Sequence, residues 1–475
     1  VGLDPAHFFS GPQYAIQGAL LMSGAEIDLI TDPKMLHFIS RGLRGGYAAV
    51  NAKYCNFVDR KSYFCLDDCN ALYPWALQMP MPTRDFRWLP DDELAALDVS
   101  KIPVDSKKGL ILEVCLLYPQ SIARLDDEFP VLVTRTKPDP SRFSVGTTAA
   151  MFFESYCGST EKLIATTENK CKYVLHYEIL KYVLEHGLEL LKVHAAFEFT
   201  QERVFEKFVQ LIAEKRRQAK TYAKRQSMKF LANSCYGKLS ENPLKYRKLT
   251  FARNSRIFER YYRSSLYISH EILREDLVII YHKPQYVKFR SPLHCALATL
   301  DNAKLLNLRY WYDGIRPSFG KVRLLGCDTD SFAYEHYCDD SDLARSRMAE
   351  FFDYSSLPST NNMFTMSTAN VPGLFKTETA HLNEHERMSG DFIVEFFALA
   401  PKLYCFIKRD ETALARLSQS RVDALFRRVS TGSIGSVEYT RSCLDALPAA
   451  KGGKHLACLS EALYFEARGE SVKGQ

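Results

Sequence analysis

The sequence predicts a mixed α/β (α+β) protein built from more than one domain. It has 475 residues, and a usual domain length of roughly 150 residues suggests about three domains. Apolar residues make up 46% and charged residues 25% of the chain, a globular composition that excludes collagen-like, coiled-coil and wholly disordered chains. Segments with strand character alternate with long helical segments, which is the pattern of a mixed fold.

The predicted elements follow from apolar runs and their boundaries. Two strands are expected early, Ser62–Leu66 ending at Asp68 and a second over 109–119. The pattern from about 160 to 238 is helical and includes a basic helix beginning near Val204. The remaining predictions are a helix from Leu293 to about Tyr312, a strand over Val322–Leu325 and a buried strand pair over 391–407.

The net charge and the cysteine content limit the possible partners and the cellular compartment of the chain. The net charge of +6 is too small by itself to indicate a nucleic-acid partner. The 13 cysteines form no CxxC pair and no zinc-binding Cys/His spacing, which favours a reduced intracellular compartment. No apolar run of about 18 residues and no signal peptide is present, so we expect a soluble chain without a membrane partner. Because the sequence opens on Val1, we expect it to be a fragment of a longer protein.

Two aspartates, Asp68 and Asp330, each follow a predicted strand. Carboxylates at one edge of a sheet can share divalent ions, because Mg²⁺ takes one or two carboxylates plus phosphate oxygens. Two metals about 4 Å apart would activate a hydroxyl and stabilise a departing pyrophosphate. The Asp-x-Asp pattern over Asp328–Asp330 is weak evidence alone, since sugar-nucleotide transferases and many surface loops also carry it.

A second group lies on one predicted helical face. Lys229, Asn233 and Tyr236 are spaced at i, i+4 and i+7, and Arg225 extends the face at i−4. This face can hold a triphosphate with its cations and stack a base on its ring. Between Glu214 and Lys229 there are seven cations against one acid; a solvated face and a nucleic-acid-binding face are equally compatible with that run.

Two further features have competing interpretations. Tyr73, five residues after Asp68, can lie beneath a bound sugar and exclude a ribose 2′-hydroxyl, or it can be a core tyrosine before a turn. The segment Arg44-Gly45-Gly46-Tyr47 is either a plain interdomain turn or a contact for a nucleic-acid strand.

Taken together, three segments in this order resemble motifs A, B and C of family B DNA polymerases: DCNALYP over 68–74, KFLANSCYG over 229–237 and DTDS over 328–331. The spacing resembles the protein-primed branch, found in viruses, linear plasmids and mobile elements. The resemblance implies a right-hand polymerase fold with a palm sheet, helical fingers and a reduced thumb. It implies a template-directed DNA polymerase that adds deoxynucleotides to a DNA 3′-hydroxyl, or to a protein hydroxyl at initiation.

The resemblance also implies roles for individual residues. Asp68 and Asp330 would bind two Mg²⁺ ions, for which Mn²⁺ can substitute, and Asp328 would support them. Nucleotide contacts would come from Lys229, Arg225, Asn233, Tyr236 and the sugar gate Tyr73. DNA contacts would come from Arg44, Gly45 and Gly46 on the template and from Lys402 and Tyr404 on the primer or a priming terminal protein. The implied partners are template-primer DNA, dNTPs and that terminal protein.

The resemblance divides the chain into eight stretches. They are a linker region (1–60) after an exonuclease domain that would precede Val1, palm (61–120), an insertion (121–165), fingers (166–245), a second insertion with a palm helix (246–315), palm (316–408), a partial thumb (409–449) and an unrelated tail (450–475). No exonuclease carboxylate motif is visible, so proofreading is not expected.

The chain departs from the family pattern at three positions. Ala71 stands where the family usually has Ser or Asn, Cys115 where an Asp follows Glu-Val, and Gly326 where a Tyr is frequent. The last residues, 459–475, resemble the opening of a bacterial cell-wall hydrolase with Glu466 as its acid, but they are too short for a catalytic domain. The alternative hypothesis is therefore an inactive mobile-element remnant that still binds nucleic acid.

Overall fold

The computed structural model of the chain describes residues 2–57, 62–103, 106–137, 161–242, 246–288, 290–338, 340–379, 393–401 and 403–408. The strands of this part are β1 Ala48–Val50, β2 Tyr54–Asn56, β3 Tyr63–Cys69, β4 Met81–Trp88, β5 Lys108–Leu117, β6 Val133–Thr136, β7 Lys162–Ala165, β8 Lys170–His176, β9 Glu189–Glu202, β10 Lys248–Ala252, β11 Tyr267–Arg274, β12 Leu277–His282, β13 Val322–Asp328, β14 Ser331–His336, β15 Phe375–Thr377, β16 Ile393–Ala400 and β17 Leu403–Lys408. The helices are α1 Gly11–Ser23, α2 Pro33–Gly42, α3 Leu72–Leu77, α4 Asp91–Ala95, α5 Gln120–Leu125, α6 Tyr177–Glu185, α7 Glu206–Arg217, α8 Tyr222–Leu239, α9 Ser255–Tyr262, α10 Leu293–Arg309, α11 Arg316–Phe319 and α12 Ser341–Ser346.

A five-stranded antiparallel sheet carries the acidic residues. Its strand order is β1-β13-β14-β3-β15, so β3 lies between β14 and β15. The middle of β3 is buried at Phe64, Cys65 and Leu66, because a strand with neighbours on both sides and packing on both faces needs a nearly continuous apolar run. The predicted strands over 62–66 and 322–325 are confirmed. Strand β3 runs through Asp68 to Cys69, and β13 continues past Leu325 to Asp328.

A second sheet, with the order β4-β9-β5-β8, packs beside the first. Here the helical prediction for 160–203 is wrong, because β7, β8 and β9 occupy most of this range and only α6 is helical. Strand β9 pairs with β5 along nearly its whole length. Its second half alternates, with Phe197, Phe199 and Gln201 buried and Glu198 and Thr200 more exposed. The sequence of this half of β9 already alternates with a period of two. In the residues before it, cross-strand pairing outweighed the helical spacing of the apolar residues.

The basic segment forms two helices instead of one. Helix α7 ends at Arg217 and α8 begins at Tyr222, after Thr221, whose hydroxyl oxygen accepts from the Lys224 N–H at 3.3 Å. This capping starts a new helix where the polar link 218–221 breaks the first. The apolar sides of both helices pack with α1 in one cluster that includes Phe208 and Cys235.

Helix α10 joins the layers of the fold. It starts at Leu293 as predicted, is buried on nearly every side, and continues as a π-helical turn over Tyr310–Ile315. Tyr310 stacks on Phe375 of β15 with ring centroids 3.5 Å apart. The helix therefore holds the two large sheets in one hydrophobic core.

Two smaller units complete the described part. Strands β10, β12 and β11 form a separate three-stranded sheet next to α9. Strands β16 and β17 form the predicted hairpin, and β16 also pairs with β2. Among the described helices, none combines the length and the apolar character needed to cross a membrane.

Candidate active site

The structure brings Asp68 and Asp330 together at one end of the five-stranded sheet. Asp68 is the second-last residue of β3, and Asp330 lies in the tight turn between β13 and β14. Ser331 is directly opposite Asp68 in the ladder, and the Cys69 N–H donates to the Asp330 carbonyl at 2.8 Å. Asp328 ends β13 on the other side of the same turn. The predicted meeting of these distant acids is thus a consequence of antiparallel pairing.

The turn that carries Asp330 is held from both sides. The Thr329 N–H donates to the Tyr47 carbonyl at 2.8 Å, and Asn307 Nδ2 of α10 donates to the Thr329 carbonyl at 2.6 Å. Thr329 has φ 61, a left-handed conformation that costs a β-branched residue about 1–2 kcal/mol. The surrounding bonds enforce this conformation and so define where Asp330 lies.

The carboxylates repel one another. Burial, and next the charge of Asp330, raise the pKa of Asp68 to about 7, whereas Lys376 and Lys229 lower it. Lys376 on β15 is opposite Asp68 in the ladder and pairs with Glu378 at 2.5 Å. Within the described residues, no group of three or more His, Cys, Asp or Glu side chains is arranged to hold a metal ion alone. Two close half-buried carboxylates still fit a magnesium shell that substrate phosphates complete.

The loop after Asp68 is anchored by a buried carboxylate. Asn70 Nδ2 donates to Asp353 Oδ2 at 2.6 Å, and the Gly373 N–H donates to the Asn70 carbonyl at 2.7 Å. Asp353 also accepts from the N–H groups of Ser355 and Asn370. The loop leads through Ala71, which has φ 49 and ψ 56, into α3. These bonds hold a strained turn that places Tyr73 beside the aspartates.

Tyr73 stacks on Tyr236 of α8. The ring centroids are 4.2 Å apart and the planes differ by 6°. Burial, followed by the charges of Asp330 and Asp328, raises the pKa of Tyr73 to about 12. Both tyrosines singled out from the sequence therefore lie at the same place, next to the acids.

The cationic face of α8 borders a shallow pocket. Lys229 and Asn233 are exposed and line it together with Ala71 and Arg216. Burial and the charge of Arg225 lower the pKa of Arg216, which indicates that α7 adds a second guanidinium beside that of Arg225. In the sequence, Arg216 is one of the seven cations of the basic run, without a predicted role of its own. A helix break was needed to bring it back alongside α8.

Lys376 and Glu378 also belong to the site, since their charges act on Asp68, and they are not among the residues predicted from the sequence. Their alternating opposite charges, just after Gly373 and Leu374, were the available signal. The ladder between β15 and β3 is what places them against Asp68.

The three residues predicted to contact the template strand, Arg44, Gly45 and Gly46, differ in their environments. The Arg44 side chain is turned inward, with its guanidinium 3.6 Å from the centre of the Tyr173 ring and Nη1 donating to the Val174 carbonyl at 2.8 Å. Gly46 lies so close to the motif C turn that a Cβ there would be 2.7 Å from Thr329 Oγ1. Gly45 has φ 98, which favours glycine. A cleft beside this segment is lined by Gly46, Tyr73, Asn307 and Thr329, the residue between Asp328 and Asp330.

On the opposite side, Tyr404 of β17 is 38% exposed and shares a groove with Asp328 and Ser331. The charges of Asp68 and Asp328 contribute, after burial, to raising the pKa of Tyr404. Lys402, and Glu466 in the tail, lie outside the described residues.

Comparison with known proteins identifies the family. The sequence model of the family described as DNA polymerase type B, organellar and viral, matches residues 24–303, which is more than half of the chain and includes Asp68 and Lys229. None of the curated proteins matches the chain.

Solved structures of phi29 DNA polymerase are similar to the chain at low identity. Its orthorhombic crystal form is 12% identical with a TM-score of 0.49, over 84% of this chain and 55% of that one. The ternary complex with primer-template DNA and incoming nucleotide is 13% identical with a TM-score of 0.48, over 84% and 56%. The chain thus spans little more than half the length of those structures. On the family match, this chain belongs to the organellar and viral type B DNA polymerases.

Proposed function

We propose that this chain is the polymerase part of a template-directed DNA polymerase, which adds deoxynucleotides to a DNA 3′-hydroxyl. The observation that carries the proposal is the convergence of Asp68 and Asp330 beside the Tyr73–Tyr236 stack and below the Lys229 face. Family membership supports the reaction class. The convergence of these residues supports the proposed mechanism, because nucleotidyl transfer needs carboxylates, cations and an aromatic ring that can stack on a base within one cleft.

Asp68 and Asp330 would hold two Mg²⁺ ions, with Asp328 beside them. When bound, these ions supply the positive charge that lowers the pKa of the attacking hydroxyl and stabilises the leaving pyrophosphate. Burial and mutual repulsion make the metal-free carboxylates unstable as a charged pair. Binding of a divalent cation between such carboxylates removes this repulsion and therefore gains the most free energy.

The α8 face would hold the incoming nucleotide. Lys229 and Arg225, with Arg216 beside them, would neutralise the triphosphate, and Asn233 would donate a hydrogen bond to it. Tyr236 would contact the nascent base pair. Tyr73, held flat against Tyr236, would fill the space that a ribose 2′-hydroxyl needs.

The two sides of the cleft would hold the nucleic acid. Gly45 would allow a template strand to approach the backbone closely. Gly46 would contribute by letting the same segment pack against Thr329, and Arg44 would hold this segment in place from within. Tyr404, with Lys402 next to it in the sequence, would contact the primer terminus or a priming terminal protein. In this proposal the five-stranded sheet is the palm, and α7 and α8 form the fingers.

Primer extension tests the proposal. With purified chain, primer-template DNA, dNTPs and Mg²⁺, we expect extension that Asp330→Asn abolishes while DNA affinity stays nearly unchanged. Asp91→Asn, at an exposed position in the first turn of α4, is the matched control and should extend normally. Substantial extension by Asp330→Asn would refute the two-metal assignment. Salt-dependent DNA binding without any extension by the unsubstituted chain would favour the inactive-remnant alternative.

A further inference from the structure

Two cysteines and a histidine meet on the four-stranded sheet, in a place that the proposed reaction does not use. Cys115 on β5 has its sulfur 3.2 Å from the sulfur of Cys171 on β8. On the other side, the Cys115 sulfur is 3.0 Å from Nε2 of His194 on β9. The sulfur of the middle strand therefore contacts one side chain from each neighbouring strand.

Irregularities in the sheet create this arrangement. On the β8 side, Cys171 and Lys172 together face the single residue Cys115, between the pairs formed by Val114 and Leu116. Lys172 has φ 47, an uncommon conformation for a residue other than glycine. On the β9 side, His194 is an extra residue between two consecutive pairs with β5. Because bulges re-aim side chains, two of them flanking one cysteine point to a local chemical role.

Cys115 and Cys171 are more accessible to solvent than most of the other described cysteines. Among the cysteines that the structure describes, six are buried, and burial raises the pKa of Cys65, Cys235 and Cys327 to about 12 in each case. Cys171 is exposed and Cys115 is half-buried. Solvent can therefore reach this pair, and a neighbouring imidazole is a known activator of thiols.

We propose that Cys115 and Cys171 form a peroxide-oxidisable dithiol in which His194 activates Cys115. His194 Nε2 takes the Cys115 proton, and the thiolate attacks one oxygen of hydrogen peroxide. The O–O bond breaks, hydroxide leaves and takes the proton from His194, and Cys115 carries a sulfenic acid. The Cys171 sulfur then attacks the Cys115 sulfur, the S–O bond breaks, and the leaving hydroxide takes the Cys171 proton. The two thiols lose two electrons in total, and one peroxide becomes two waters.

A dithiol fits this cluster better than a metal site does. Within the described part of the chain, no group of three or more His, Cys, Asp and Glu side chains, these three included, is arranged to hold a metal ion. The two sulfurs lie 3.2 Å apart on neighbouring strands, so rotation of the side chains would bring them toward the disulfide bond length of about 2.0 Å. The product would link β5 to β8.

The test uses the full chain treated with hydrogen peroxide, followed by peptide mapping. We expect a reversible cross-link between the peptides that contain Cys115 and Cys171, removed by dithiothreitol. In Cys171→Ser, Cys115 should react with dimedone, which traps sulfenic acids. His194→Asn should slow cross-linking by about tenfold or more. Cys338→Ser, which removes the other half-buried cysteine of the described part, should change nothing.

Three results would overturn the proposal. They are a cross-link that excludes Cys115 or Cys171, first labelling of Cys171 in place of Cys115, and unchanged kinetics in His194→Asn with native circular dichroism. Primer extension is independent of these readouts, so failure here leaves the polymerase proposal as it stands.

Discussion

The phenol rings of Tyr73 and Tyr236 lie nearly parallel, with centroids 4.2 Å apart, although one ring belongs to the start of helix α3 and the other to helix α8. An offset or parallel aromatic pair of this kind contributes about 0.5–1.5 kcal/mol beyond burial. It holds the Tyr73 ring within range of the charges of Asp330 and Asp328. The stack therefore couples the two sides of the proposed nucleotide site.

Removing the Tyr73 ring should relax sugar selection. If the ring fills the space of the 2′-hydroxyl, Tyr73→Ala should raise ribonucleotide incorporation relative to deoxynucleotide incorporation by about ten- to a hundredfold. Tyr73→Phe keeps the ring and the stack and should retain the selection, so it serves as the matched control. Single-nucleotide kcat/KM values for dNTP and rNTP measure this. Equal discrimination in the alanine variant would exclude the sugar-gate role.

We expect Lys229 to contribute to the reaction by binding the triphosphate of the incoming nucleotide. Lys229→Gln removes a charge-assisted hydrogen bond of about 1.5–3 kcal/mol, so kcat/KM for dNTP should fall roughly ten- to a hundredfold. Lys101→Gln changes an exposed lysine that pairs with Asp98 and should have no such effect. DNA affinity should hardly change in either variant. A loss of DNA binding equal to the loss of kcat/KM would assign Lys229 to DNA.

The pKa of Asp68 predicts how stability depends on pH without metal. Its folded-state value of about 7 exceeds the ordinary value of 3.8, so the folded chain favours the protonated carboxyl. The stability contributed by Asp68 is thus complete below about pH 4 and is lost as the pH rises through 7, by at most about 1.4 kcal/mol per pH unit.

Thermal unfolding in EDTA at pH 5.5 to 8 checks this for Asp68. Asp68→Asn should be more stable than the unsubstituted chain at pH 8, with a difference that shrinks toward pH 5.5. Mg²⁺ should stabilise the unsubstituted chain at pH 8 and Asp68→Asn much less. A constant difference between the two proteins across this range would contradict the raised pKa.

Ala71 occupies a conformation that suits its residue type poorly. Its φ of 49 and ψ of 56 lie in the left-handed region, where asparagine is tolerated much better than alanine. Ala71→Asn should therefore stabilise the chain by about 0.5–1 kcal/mol, since the side chain borders an open pocket. Ala71→Val should destabilise it, because a β-branched residue is worse in this region. Urea unfolding of the three proteins compares them, and a less stable asparagine variant would contradict this account.

Several features of the molecule were predictable because they depend on local patterns. The strands leading to Asp68 and Asp328 are short β-prone runs ended by polar residues, and the Lys229, Asn233 and Tyr236 face follows from helical spacing. The error over 160–203 arose because apolar spacing in this range suits a helix. Pairing with β5 makes the segment Glu189–Glu202 a strand, and β5 lies about 80 residues earlier in the chain.

The sequence by itself determined the family, the identity of the acidic, cationic and aromatic side chains, and the strands that lead to Asp68 and Asp328, because residue type and short-range periodicity are local properties. Only the tertiary structure decided which of these side chains meet. Strand register placed Lys376 and Glu378 against Asp68, and the break between α7 and α8 brought Arg216 back beside Arg225. Packing turned Arg44 inward onto Tyr173, and two bulges aimed Cys171 and His194 at Cys115. Most of these contacts join residues far apart in the chain, so they depend on the free energy of the whole packed core and not on any one segment.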